Sequence, residues 1–425
     1  MQVPLEPIST TPLSTPRLDT TFGTLGTVVC NAALLGNGVS ASSIYGVIMR
    51  PDRSMVLVSS YAGHALLIAL NEDGSLDRSF GSGGHVAENF DDERNSDGIN
   101  IQLMPDGRLL LTAMIDDEDE FIPGFAMYLS NGQRDRTFGT EGVTIVELGS
   151  SGKTAARTSM ARSGARNGNH SSSPIVTPKG QILIPFVVDN WFDEPARTVL
   201  IRLAQNGKLD TGFHGKGYTE ITYKNGPCQL NGVIAQVVGS LEPRLVLAGQ
   251  HRAGALLAAL TLDGEPDLSF GVAGFTDIPG KRAFLSLTPT PDEKLLASGY
   301  FLTDQQTTAG WTVRFTADGW IDQSFEPVLT PADTRTFRFE RVQPDPDNLI
   351  LCAGQVISPG PRFHGVLARY LANGQPDTNF GTHGLFEEPE GSFWDILLSS
   401  GTRLLAVGGQ ADNSAGSVRR YELDA

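Results

Sequence analysis

A short, almost wholly apolar run recurs along the chain: Met55–Val58, Leu109–Ala113, Ile182–Ile184, Leu245–Gly249, Lys294–Gly299, Leu349–Gly354 and Arg403–Gly408. Each copy is bounded by turn residues and is too short for a helix, so each predicts a strand buried on both faces. Around one copy the polarity pattern resolves into four strands. His85–Phe90 follows a Gly-rich turn, Ile99–Met104 runs into Pro105-Asp106-Gly107, Arg108–Met114 is the apolar strand, and Phe125–Leu129 ends at Asn131-Gly132. Four short strands joined by turns in every unit predict the blade of a β-propeller. The Gly that ends the apolar run in its last four copies is expected to let blades approach closely.

A second motif separates the units. It reads Asp-x-x-Phe, usually followed by Gly-x-x-Gly, and it pairs Asp19 with Phe22, Asp77 with Phe80, Asp135 with Phe138, Asp210 with Phe213, Asp267 with Phe270, Asp322 with Phe325 and Asp377 with Phe380. The spacings are 58, 58, 75, 57, 55 and 55 residues, a period that belongs to stacked or radial repeats. Asp73-Gly74-Ser75-Leu76-Asp77 looks like part of a Ca²⁺ loop, but its recurrence at every strand junction favours turn geometry, with the second Asp accepting backbone N–H bonds. The Phe is then a plug between blades.

These residues resemble the delta-60 repeat family of bacterial β-propeller proteins. The resemblance rests on Asp-Gly-x-x-Asp-x-x-Phe-Gly-x-x-Gly, as in Asp73–Gly84, and on Pro-Asp-Gly before an apolar strand, as in Pro105–Gly107. It extends from Arg17 to Ala425. Departures are local: Glu326 follows Phe325 where Gly is usual, His214 follows Phe213, and the turn degenerates to Glu242-Pro243-Arg244 and Ser399-Ser400-Gly401. The resemblance implies an all-β propeller and brings no catalytic residue with it.

Seven motifs and seven apolar strands predict seven blades of four antiparallel strands over residues 17–425, preceded by a polar tail, 1–16. The chain ends on Arg419–Asp424, a fourth-strand sequence, and what should follow it stands at the other end as Asp19–Gly23 and Thr27–Asn31. The N-terminal strand is therefore expected to complete the last blade and remove a free sheet edge. The alternative is seven blades of contiguous sequence.

Composition narrows the function. The formal charge is −16, which repels phosphate backbones and argues against nucleic acid as a partner. No run of about 18 apolar residues predicts a membrane span. Met1–Pro16 lacks the basic start and apolar core of a secretory signal, so a cytoplasmic location is the default expectation, with signal-independent export the other route. Cys30, Cys228 and Cys352 share no metal-ligand spacing, and no cofactor or metal is expected.

Connections in an antiparallel blade alternate between two faces. The Pro-Asp-Gly turn and the Asp-x-x-Phe connector share a constant face; the other two loops share a variable face, where binding is expected. Three features mark the variable face. The insertion Gly149–His170 carries Lys153, Arg157, Arg162 and Arg166 with no acid; it either binds an anionic partner or is a loop neutralised by its surroundings. Asp116–Glu120, with Asp91, Asp92 and Glu93, is either a Ca²⁺ site or a solvated charge cluster. Trp191-Phe192, Tyr300-Phe301 and Phe363 are exposed-looking aromatics, of which Trp191-Phe192 either stacks on a sugar ring or folds against its own blade. His64, His251 and His364 occupy comparable loop positions and could converge on a metal at the pore; His85, His214 and His383 fall in the connectors. No nucleophile elbow or phosphate loop occurs. The expected function is a non-catalytic binding or scaffold propeller for a protein or glycan, with Lys153, Arg157, Arg162, Arg166, Trp191 and Phe192 as binding residues. The alternative is a metal-dependent hydrolase or lyase at the central pore.

Overall fold

The alternation of apolar strands and turn residues produces an all-β chain. The computed structural model describes residues 15–423 except 118–120, 149–173, 189–195, 238–241, 305–306, 331–334, 346–347, 358–362, 401 and 413. Four-stranded antiparallel sheets follow one another along it. In the first, Gly46–Met49, Met55–Tyr61, His64–Leu70 and His85–Glu88 lie side by side in chain order. Ser96–Leu103, Leu109–Asp116, Phe121–Tyr128 and Val143–Ile145 form the second. The pattern continues to Gly391–Ser400, Arg403–Gln410 and Gly416–Glu422.

The sequence repeat and the sheets are one strand out of phase. His85–Glu88, which follows the Asp-x-x-Phe connector, pairs with His64–Leu70 and not with the strand after it. The connector therefore lies inside a sheet, between its third and fourth strands. The same offset operates at the chain ends: Thr27–Cys30 pairs antiparallel with Gly416–Arg419, and Arg17–Leu18 with Tyr421–Glu422. A short helix, Ala32–Leu35, leads away from this strand; the Asn31 side chain caps it by accepting from the Ala33 and Leu34 amides, the usual role of Asn at a helix start.

One sheet has eight strands because two groups of four run together. Lys224 and Asn225 both adopt left-handed backbone, with φ of 49° and 59°, as a two-residue hairpin turn requires. Tyr218–Tyr223 thereby pairs directly with Gly226–Gln236.

First strands of successive sheets pack against one another: Gly226–Gln236 on Arg282–Pro289, that strand on Thr336–Pro344, and onward through Gly391–Ser400 and Gly46–Met49 to Ser96–Leu103. Apolar clusters fill the space between sheets. One of them joins Leu405, Val407 and Val418 of the last sheet to Leu57, Leu66 and Ile68 of the first. Second strands are covered on both sides, so Leu109–Ile115 is buried throughout, as the unbroken apolar run anticipated.

The glycines that end the apolar runs have a different reason from the expected one. Gly249, Gly299, Gly354 and Gly408 stand opposite Leu230, Phe284, Phe339 and Phe393. At each of these points the first strand carries a β-bulge. A Cβ at any of the four would collide with the backbone carbonyl of Gln229, Ala283, Arg338 or Ser392 in the same sheet. The bulge, not the approach of a neighbouring sheet, excludes a side chain.

The three cysteines are buried and unbridged, and burial pushes each thiol up to about 12. No helix among the described residues is long and apolar enough to cross a membrane.

Candidate functional site

The repeated residues of the constant face are consumed in holding sheets together. At Asp267, one carboxylate oxygen accepts the Ser269 amide at 3.0 Å and hydroxyl at 2.6 Å, closing a local turn. The other accepts Arg244 Nη1 at 2.9 Å. The same guanidinium lies 5.1 Å from the centre of the Phe270 ring and donates to the Ala317 carbonyl of the next sheet. Phe270 is fully buried, and Gly319 of that next sheet lies against its ring with no room for a Cβ. Asp, Arg and Phe thus form one seam, tied by an ion pair, a cation–π contact and apolar burial.

Every copy has its arginine, from one of two places. Arg202, Arg314 and Arg369 lie eight residues before Asp210, Asp322 and Asp377 and pair with them. Arg420 takes the same place in the last sheet and pairs with Asp19, linking the two ends of the chain at 2.8 Å. Where that position holds Ala69, Met127 or Ala259, the arginine comes from the stretch leading into the second strand or from that strand's first residue: Arg50 to Asp77, Arg108 to Asp135 and Arg244 to Asp267. All seven motif phenylalanines are buried. Burial opposes ionisation of Asp19, Asp267 and Asp322, but the Thr21, Ser269 and Ser324 donors and the arginines outweigh it and hold these carboxyls below the ordinary range. At Asp135 the Thr137 hydroxyl is the chief cause of the same shift.

The variable face has no repeated apparatus; its polar clusters differ from sheet to sheet. Arg94 is gripped by Asp91 at 2.8 Å, Glu147 at 3.0 Å and Asp117 at 3.3 Å. It gathers the acidic loop residues around a cation supplied by their own unit. Beside it, a cleft of about 580 Å³ runs from His64 and Asp92 of the variable face past Glu88 to Arg134 and Arg136 of a constant-face connector. Farther round, His251 Nε2 lies 2.9 Å from Asp277 Oδ1, while the Tyr223 hydroxyl and Lys224 Nζ each reach Asp277 Oδ2 at 3.1 Å. The Tyr223 ring packs edge-on to His251. This carboxylate-held imidazole ties the Tyr223 hairpin to its neighbour. Arg282 lies between Phe301 and Trp311, 5.0 Å from each ring centre, and burial pushes its guanidinium below the usual arginine range.

Lys153, Arg157, Arg162, Arg166, Trp191 and Phe192 lie outside the described residues. The other predicted features fall on strands and strand ends more than on loops. Tyr300 and Phe301 belong to Leu295–Leu302 and are covered by Arg338 and Arg282; Phe363 opens Phe363–Tyr370. His64 and His251 occupy strand ends, and His364 lies within a strand. Among the described residues no group of three or more His, Cys, Asp or Glu is placed to hold a metal. The partners of His251 were missed because Tyr223, Lys224 and Asp277 are about 26 to 28 residues away in sequence and only strand pairing unites them. Three of the seam arginines had a legible signal, Arg202, Arg314 and Arg369 each standing eight residues before a motif Asp; the other four had none.

A family model described as a domain of unknown function (DUF5122) beta-propeller matches residues 290–325, which supports a β-propeller. No curated protein matches the chain. Among solved structures, the chain is similar to virginiamycin B lyase from Staphylococcus aureus, with 11% identity, 90% of this chain and 96% of that chain covered, and a TM-score of 0.44. It is also similar to polysaccharide lyase Uly1, with 10% identity, 90% of each chain covered and a TM-score of 0.45. A glucose dehydrogenase is 12% identical over 77% of this chain and 95% of its own, with a TM-score of 0.39.

Proposed function

We propose that the chain is a seven-bladed propeller, closed by its N-terminal strand, that serves as a binding or scaffold module for a protein or glycan. The partner docks on the variable face, at the cationic insertion Gly149–His170 and the Trp191-Phe192 loop. One observation carries this reading. The Asp, Arg and Phe side chains of the constant face are engaged in seams, whereas the polar clusters of the variable face differ from sheet to sheet. Repetition serves assembly, and departure from it on a rigid frame is where recognition is built. The insertion adds four cations to a chain of charge −16, which suits an acidic protein segment or an anionic glycan.

The test is a glycan array and a pull-down, run with the wild type and with a variant combining Arg157→Ser, Arg162→Ser, Arg166→Ser and Trp191→Ala. Capture by the wild type, lost in the variant at an unchanged melting temperature, is the expected result. Undiminished capture by the variant would place the site elsewhere.

A further inference from the structure

The large apolar side chains that remain exposed among the described residues are Leu25, Leu129, Val176, Val237, Leu268, Val272, Trp320, Ile321 and Leu371. Apart from Val176, which ends the short strand Ile175–Val176, they fall in turns or connectors of the constant face, the face opposite the proposed partner site. Most stand alone, and scattered exposed apolar residues are ordinary. Three share one seam. Leu268 and Val272 flank buried Phe270 in its connector, with 75% and 69% of their surface exposed. Trp320, half exposed, follows Gly319 in the turn that closes on that connector through Gly271 N–H to the Asp318 carbonyl, 2.8 Å, and the Thr276 hydroxyl to the Gly319 carbonyl, 2.7 Å.

The repeat supplies its own control. The place of Leu268 is taken elsewhere by Thr20, Arg78, Arg136, Thr211, Gln323 and Thr378. The place of Trp320 is taken by Arg17, Ser75, Gln133, Lys208, Glu265 and Gln375. Val272 replaces Thr24, Ser82, Thr140 and Thr382, with Gly215 and Pro327 in the remaining two copies. The fold therefore does not require an apolar residue at any of these positions, yet this one seam has three. Ile321 extends the patch into a hollow of about 420 Å³ bounded by Pro327 and Asn373.

The charge around the patch selects its occupant. Asp318, in the turn of Trp320, and Glu326, beside Ile321 in the hollow, are exposed, as is Glu265, three residues before Leu268 and 3.9 Å from His214. The cations of the same region are sunk or engaged: Arg244 and Arg314 keep 9% and 12% of their side-chain surface and pair with Asp267 and Asp322, and Lys294 pairs with Asp292 and Asp322. A second copy docking the same patch would set these carboxylates against one another. We infer that the seam between Leu268 and Trp320 is a second docking surface, for a partner-protein segment that presents apolar side chains flanked by lysine or arginine.

The test uses a fluorescein-labelled peptide of alternating leucine and lysine, read by anisotropy with the full chain, against a lysine–serine peptide and a leucine–glutamate peptide. Saturable binding of the first, at least about tenfold tighter than either control, is expected, weakening as salt rises. Leu268→Ser with Val272→Ser and Trp320→Ser should weaken it by about tenfold or more, and Glu265→Gln with Asp318→Asn and Glu326→Gln should remove most of the salt dependence. Leu25→Ser, a change at an exposed apolar residue of a different seam, should leave binding as it was. Equal binding of the lysine–serine peptide, or full binding by the Leu268/Val272/Trp320 variant, would overturn the inference. So would a concentration-dependent dimer that this variant abolishes, since the patch would then belong to a second copy.

Discussion

Phe270→Ala tests the seam at its centre. The ring is fully buried, with Arg244 over one face and Gly319 against it. Truncation removes a buried aromatic side chain and leaves a cavity in a cluster that includes Val246, Leu257 and Ala259, a change that costs about 3–5 kcal/mol. The lost cation–π contact lies within that figure, at about 0.5–1 kcal/mol. Phe270→Leu keeps most of the volume and should cost about 1.5 kcal/mol or less. In guanidinium titrations with a slope near 4 kcal/mol per molar, the alanine variant should shift the midpoint down by about 1 M. Leu268→Ala, two residues away and 75% exposed, should leave it unmoved. Phe80→Ala repeats the experiment in another seam, where the ring is 1% exposed and lies under Arg50. If both alanine variants unfolded at the wild-type midpoint, the phenylalanines would not be the plugs described.

Other consequences can be checked independently. Gly354→Ala should destabilise by about 1–3 kcal/mol in the same titration, because its Cβ meets the Arg338 carbonyl across the bulge. Asp19, Asp135, Asp267 and Asp322 have carboxyls held below their ordinary value of 3.8, so their stabilisation is full above about pH 4 and is lost as pH falls through the lowered values. Melting temperatures taken from pH 5 downward should fall, and Asp267→Asn with Asp322→Asn should flatten the fall. Deleting Met1–Thr15 should be nearly silent, whereas deletion through Asn31 removes Phe22 and the partner of Gly416–Arg419 and should give aggregation or non-cooperative melting; a well-behaved monomer from the longer deletion would favour blades of contiguous sequence.

The parts of the fold legible in sequence were those that repeat. Leu109–Ile115 announced a strand covered on both faces, and Asp-x-x-Phe with Asp-Gly announced the connector. Two kinds of information were hidden. The reason for Gly249, Gly299, Gly354 and Gly408 lies in a bulge on a neighbouring strand, and no local pattern records a bulge. The role of the arginines was divided between two positions, so neither repeats fully, although each vacancy at one position is filled from the other. The candidate site was less legible still. His251, Tyr223, Lys224 and Asp277 meet only through strand pairing, and the apolar seam at Leu268 and Trp320 emerges only when its copies are aligned and their exposure is known.

The proposed closure of a ring stands or falls with the pairing of Thr27–Cys30 and Gly416–Arg419. Native-state hydrogen exchange of the full chain measures it most directly. If the N-terminal strand completes the last blade, the amides of Val28 and Cys30 exchange as slowly as those of Val418 and Arg420, and both segments open in the same cooperative step. Exchange of Thr27–Cys30 at free-chain rates, while Gly416–Glu422 stays protected, would contradict it.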